Sequence, residues 1–181
     1  MSDASEQSGQ RSALFVCLGN ICRSPIAEAV FRDEVKKRNL SALWTYDSAA
    51  TGDYHTGNQP EKRARATLEH HGITDYKHKA RQVDGIAILK RSAYGWEQVS
   101  TADFRQFDFI FAMDNHNLGD LRELQRLAGK EAKAELALLG DYDPNGEREV
   151  PDPYYHSGSA LFHQVLEQCR RCCQAFLDKH P

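Results

Sequence analysis

The stretch Cys17-Leu18-Gly19-Asn20-Ile21-Cys22-Arg23-Ser24 follows the apolar run Ala13-Leu14-Phe15-Val16 and runs into Pro25. A short apolar run that stops at Leu18-Gly19-Asn20 suits a buried strand entering a loop. Pro25 then opens a helix, because proline at a first helical position has its φ pre-set and loses no needed N–H, with Ser24 as N-cap. Ile26, Ala27, Val30 and Phe31 supply the buried helical face. The chain therefore begins with strand, loop and helix, a unit that needs parallel neighbours to cover it.

The rest of the sequence repeats that alternation. Leu43 to Ser48 reads as a second strand, Pro60 to His71 as a helix stopped by Gly72, and Phe107 to Ala112 as a third strand. Asp114 caps a helix carrying Leu118, Leu121 and Leu124, Ala134 to Leu139 is a fourth strand, and Ser157 to Leu177 closes as an amphipathic helix. Strands alternating with helices imply an α/β fold, a three-layer sandwich around a central four-stranded parallel sheet, with ligands at the carboxyl ends of the strands. Cys17 falls at such an end, so the loop after the first strand is the expected phosphate-binding loop.

With 181 residues the chain fits one domain that buries roughly 70% of its unfolded surface without a disulfide scaffold or structural metal. The expected division is a disordered polar tail over 1–11 and a single domain over 12–181. A net charge of −3 argues against a broad nucleic-acid surface, yet leaves room for one local anion pocket. No apolar run reaches the length of a membrane span, and the start carries no signal-peptide stretch. Five cysteines, an odd number, point to free thiols in a reducing compartment, so the expected location is cytoplasmic.

A loop at that place aims several backbone N–H groups inward, and successive amides at a helix N-terminus form an anion site. The same field, the Arg23 cation and a hydroxyl donor from Ser24 favour the anionic, nucleophilic form of the Cys17 sulfur. Arg23 can hold two oxygens of a phosphate at once, and Gly19 permits close backbone approach. Such a cysteine is placed to attack phosphorus while amides and guanidinium hold the phosphoryl charge. A proton donor is found at Pro151-Asp152-Pro153-Tyr154-Tyr155, where prolines flank a single carboxyl. Asp152 can protonate a departing phenolate and then activate the water that splits a cysteinyl phosphate. That chemistry calls for no metal and no cofactor.

These residues resemble the low-molecular-weight protein tyrosine phosphatases. The likeness lies in the Cys17 to Ser24 signature and the Asp152-Pro153-Tyr154-Tyr155 element, and it extends through Asp47-Ser48-Ala49, His70-His71-Gly72-Ile73, His78-Lys79-Ala80-Arg81-Gln82, Phe107-Asp108 and Met113-Asp114. The resemblance implies a protein tyrosine phosphatase with acid phosphatase activity, acting on phosphotyrosine proteins or small aryl phosphates. By it Cys17 is the nucleophile, Arg23 the phosphate ligand and Asp152 the general acid. Asn20, Ser48 and His78 match residues that hold the loop in shape, and Leu18, Tyr54, Tyr154 and Tyr155 match the walls of the aromatic slot. Gly19, Ile21, Cys22 and Ser24 complete the phosphate-binding loop. Cys22 is the expected redox partner of Cys17. The chain departs from the family at Tyr54, where some members carry tryptophan, and at about 83–98, which reads as an inserted surface segment.

Two other enzymatic readings use the same loop. Arsenate reduction requires a resolving pair of cysteines near the site, and Cys169, Cys172 and Cys173 sit on a distant helix. A phosphoarginine preference is opposed by Ile21, since that group carries threonine at this position by resemblance. The non-catalytic reading is a phosphate-binding or interaction module disturbed by the insertion. Cys169, Cys172 and Cys173 with His163 could suggest zinc, but Leu161, Val165, Cys169, Cys172 and Phe176 form one helical stripe, which assigns these cysteines to the core. His70 and His71 read as capping residues of the helix that Gly72 ends. The sequence leaves the oligomeric state open.

Overall fold

A computed structural model describes residues 9–83 and 101–181. Four parallel strands form one sheet in the order β2-β1-β3-β4: β1 is Arg11–Cys17, β2 Trp44–Ala50, β3 Phe109–Ala112 and β4 Glu135–Leu138. The helices are α1 (Arg23–Lys37), α2 (Lys62–His70), α3 (Ala102–Gln106), α4 (Asn115–Ala128) and α5 (Ala160–Lys179). The expected four-stranded α/β architecture is thus the observed one.

The side chains of β1 divide between two cores because successive residues point to opposite faces. Ala13, Phe15 and Cys17 join the cluster formed with α1 and α5, whereas Leu14 and Val16 join the cluster beneath α3 and α4. Every residue from Ala13 to Cys17 is buried, as a central strand covered on both faces requires. On the first face Phe31, Trp44, Phe109, Phe111 and Phe176 meet mostly edge to face, the arrangement that ring quadrupoles favour. Full burial of each such ring contributes about 1.5–3 kcal/mol, so β1 and the loop it carries rest on a firm base.

Several boundaries differ from the sequence reading, each for a local reason. Helix α1 starts at Arg23, with Cys22 in the cap position and no side-chain cap, so Ser24 is not the N-cap. Its hydroxyl is turned instead toward Cys17 and Asn20. Strand β3 starts at Phe109 because Phe107 ends α3, a five-residue helix too short to leave a periodic signature. Asp108 bonds back to Ser12 through both its backbone and its carboxylate. Arg11, placed in the tail by the sequence, pairs in register with Trp44 and stacks its guanidinium 4.6 Å from that ring.

Val83, read as the first residue of the inserted segment, belongs to the fold. It is buried, and its N–H donates to the Ala50 carbonyl at 2.8 Å beside the Ala50–Gln82 bridge. The remainder of that segment, 84–98, lies outside the described residues, as does the tail up to residue 8. Asp114 caps α4 as expected, its carboxylate accepting from the Asn117 N–H at 2.7 Å.

Candidate active site

β1 delivers Cys17 to the carboxyl edge of the sheet, and α1 carries Arg23 and Ser24 back beneath it. Cys17 Sγ lies 3.1 Å from Ser24 Oγ and accepts the Asn20 N–H at 3.3 Å. A hydroxyl and an amide therefore converge on the sulfur.

The bend at Asn20 has φ 54°, in the left-handed region, where asparagine is tolerated better than most side chains. Its fully buried amide holds that conformation through several partners. Nδ2 donates to Ser24 Oγ and to Ser48 Oγ, each at 2.9 Å, while Oδ1 accepts the Arg81 N–H at 2.9 Å and faces His78 Nε2 at 2.7 Å. Ser48 donates in turn to Glu28, which Tyr76 also reaches, each at 2.6 Å. Burial lowers the His78 pKa and raises that of Glu28, so their 3.5 Å contact is better described as a polar contact than as an ion pair. Asn20, Ser48 and His78 thus form one network behind the loop.

Arg23 is almost wholly buried, with its guanidinium between two carboxylates. Nη1 donates to Asp114 Oδ2 at 2.5 Å and to the Val150 carbonyl at 3.3 Å; Nη2 donates to Asp152 Oδ2 at 3.2 Å. Burial disfavours the cation, but Cys17, Asp152 and Asp114 outweigh it and raise its pKa. The other Asp152 oxygen accepts the Tyr154 N–H at 3.1 Å, which fixes the carboxyl on its proline-flanked loop. Arg63 braces that loop from α2, donating to the Tyr154 carbonyl at 3.0 Å.

A cavity of about 380 Å3 opens above the sulfur. Cys17, Leu18, Gly19, Ile21, Cys22, Arg23, Tyr54, Asp152, Tyr154 and Tyr155 all border it. Tyr54 is 74% and Tyr155 83% exposed at the mouth, with the Tyr155 ring edge-on to Tyr154 at 5.1 Å. Asn20 and Ser24 sit buried under the loop, with Ser48 and His78 behind it, in support rather than in the cavity. Burial, reinforced by Cys17, raises the Cys22 pKa, keeping it a protonated thiol. Cys169, Cys172 and Cys173 are buried in α5, where burial pushes Cys172 up to about 12 and the other two well above the usual thiol range. They pack the core.

The sequence reading missed four contributors. Asp114 was seen only as a helix cap, although its second oxygen holds Arg23. Glu28 and Tyr76 gave no signal, since an acid in a helix and a tyrosine in a loop are ordinary surface residues until burial joins them. His55 also borders the cavity, and its ring lies 6.1 Å from that of Tyr154. A Cβ at Gly19 would stand 3.0 Å from His55 Cδ2, so a larger residue there requires the His55 ring to shift.

The family model described as "Low molecular weight phosphotyrosine protein phosphatase" matches residues 12–91 and 84–180. A pig protein named low molecular weight phosphotyrosine protein phosphatase is 46% identical over 169 residues, covering 93% of this chain and 95% of that protein. Among solved structures, a protein tyrosine phosphatase from Entamoeba histolytica with Hepes in its active site superposes with a TM-score of 0.78. It is 33% identical over 94% of this chain and 97% of its own. A Drosophila arginine phosphatase gives the same TM-score at 34% identity, over 93% of this chain and 96% of its own. The matches span nearly the whole chain, and this chain belongs to the low molecular weight phosphotyrosine protein phosphatase family.

Proposed function

We propose that this phosphatase hydrolyses phosphotyrosine and small aryl phosphates by two displacements at phosphorus, with Cys17 as nucleophile. Cys17 Sγ attacks phosphorus, the P–O bond to the phenol breaks, and Asp152 gives its proton to the departing oxygen. Water then attacks the cysteinyl phosphate, Asp152 takes its proton, and the sulfur leaves. Arg23 and the loop amides hold the three remaining oxygens through both steps. The carrying observation is that Cys17, Arg23 and Asp152 border one cavity whose mouth is walled by Tyr54, Tyr154 and Tyr155, a slot suited to a flat ring. Aryl phosphate turnover in the presence of chelator and reductant tests this reading. Turnover is expected without added metal, and a requirement for metal would overturn it.

Ile21, an apolar residue at the cavity wall, favours an aryl ester over a guanidinium phosphate, which would need a polar partner there. Side-by-side hydrolysis of phosphotyrosine and phosphoarginine peptides is expected to favour phosphotyrosine. An arsenate reductase relay through α5 is disfavoured by the complete burial of its cysteines. Among the described residues no helix is long and apolar enough to cross a membrane. The five free thiols support a cytoplasmic, reducing setting.

Cys22 is assigned as the redox partner of Cys17. A sulfenic acid formed at Cys17 is attacked by a neighbouring thiol, expelling water and leaving a disulfide. Mild peroxide is expected to inactivate the enzyme reversibly, with a Cys17–Cys22 crosslink in the peptide map, and Cys22→Ser is expected to make the loss irreversible. Irreversible loss in the wild type with no such crosslink would leave Cys22 to packing.

We also read 84–98 as a surface insertion. Loop-closure cost grows by only about 0.6 kcal/mol per doubling of length, so the fold can carry it. Excision of 84–98, with Val83 kept, is expected to change stability by less than about 2 kcal/mol and to preserve turnover of a small aryl phosphate. Denaturant melts and kinetics of the shortened chain check this, and unfolding or loss of turnover would place the segment in the core architecture.

A further inference from the structure

Away from the active site, the C-terminal end of α2 meets the first turn of α5 through three histidines. His71 Nε2 lies 3.0 Å from His163 Nδ1. The ring centroids of His70, His71 and His163 are separated by 5.5, 5.2 and 5.2 Å. Imidazoles sharing one tetrahedral zinc at about 2.0–2.1 Å place their bound nitrogens about 3.3 Å apart and their centroids about 5 Å apart. The His71 and His163 nitrogens already stand near that separation, whereas the His70 ring matches it in centroid distance alone. His70 is exposed, and the site requires its ring to turn so that a nitrogen meets the other two.

The surroundings supply what a histidine ligand needs behind it. Glu167 Oε1 stands 3.3 Å from His71 Nδ1, the nitrogen opposite the one facing His163. A carboxylate there accepts the Nδ1 proton and leaves the Nε2 lone pair free, the usual support for a metal-bound imidazole. Arg170 donates to the same Glu167 oxygen at 2.7 Å and opposes a cation, so the carboxylate is shared between the two. His163 and Glu167 also border a cleft of about 590 Å3 with Glu147 and Glu149, whose charge attracts cations. Arg171, which pairs with Glu147 at 3.0 Å, offsets part of that charge.

We propose that His71 and His163, with His70 as third donor, form a peripheral site for a divalent cation of the zinc class, clamping the end of α2 to α5. The site is separate from Cys17 and takes no part in phosphoryl transfer. Imidazole nitrogen suits zinc, whereas magnesium and calcium prefer oxygen. The nearby carboxylates Glu147, Glu149 and Glu167 tune the field, and Glu167 is a positioning residue rather than a ligand.

Calorimetric titration of the full chain carrying Cys17→Ser with Zn2+ tests the proposal, the substitution removing the Cys17 sulfur as a competing donor. One bound zinc per chain is expected, with Mg2+ giving no heat. His163→Gln and His71→Gln are each expected to weaken binding by at least tenfold. Glu167→Gln is expected to weaken it by about 10-fold or more, the scale on which carboxylates behind a ligating histidine act. Melting curves without zinc confirm that the variants fold. In the unsubstituted rings, zinc is expected to shift the nitrogen resonances of His71 and His163 together. Zinc affinity unchanged by both His71→Gln and His163→Gln, or no shift at either ring, overturns the site.

Discussion

Replacing Cys17 by serine is expected to abolish turnover while leaving the anion site standing. The hydroxyl is a far weaker nucleophile than the sulfur it replaces, and loss of a covalent nucleophile lowers kcat by roughly 10^4-fold or more. What holds phosphate lies elsewhere. Arg23 stays pinned by Asp114 and the Val150 carbonyl, and Asn20 keeps the loop bent through Ser48, His78 and Arg81. Affinity for an aryl phosphonate is therefore expected to change by no more than a few-fold. Arg23→Ala should instead lose both, because charged hydrogen bonds of about 1.5–3 kcal/mol disappear and Asp114 is left without its cation. Steady-state kinetics with phosphonate titrations decide the matter, and wild-type turnover in the serine variant would end the covalent mechanism.

Asp152→Ala is the second large effect, expected at about 100- to 10,000-fold for esters of poorly acidic phenols, the range in which general acids act. Esters with activated leaving groups need less help from a proton and should lose much less. Asp152 is the titratable carboxyl that borders the cavity, held through the Tyr154 N–H on a rigid loop. A plot of rate against leaving-group pKa, steep for the variant and shallow for the wild type, is the expected signature. Parallel plots would remove Asp152 from proton transfer.

The sequence carried the sheet well, because β1 and β3 are apolar runs bounded by loop residues and α4 and α5 each have a clear buried face. It also carried every residue that touches the cavity except His55, since most of them lie in two short motifs. It failed where one side chain serves partners far apart in the chain. Asp114 looks like a cap and is one, yet its other oxygen holds an arginine distant in sequence. Ser24 reads in the sequence both as an N-cap and as a partner of the Cys17 sulfur, and only the second holds, because Cys22 takes the cap position. Glu28 and Tyr76, which join Ser48 in a buried polar network, leave no pattern, because each link depends on tertiary proximity.

The Arg23 guanidinium is shared by two acids before any phosphate arrives. On the proposed mechanism binding is an anion exchange: Asp114 keeps Nη1, while a phosphoryl oxygen takes Nη2 from Asp152. A buried cation is never left without a counter-charge, which spares the site the cost of an unpaired ion at every turnover. Occupancy and arming become one event: only when a phosphoryl oxygen takes its place does the carboxylate leave the cation, take a proton from solvent and meet the leaving oxygen as an acid. The same competition limits affinity. An enzyme stripped of the Asp152 carboxylate should grip inorganic phosphate more tightly even as it turns over more slowly.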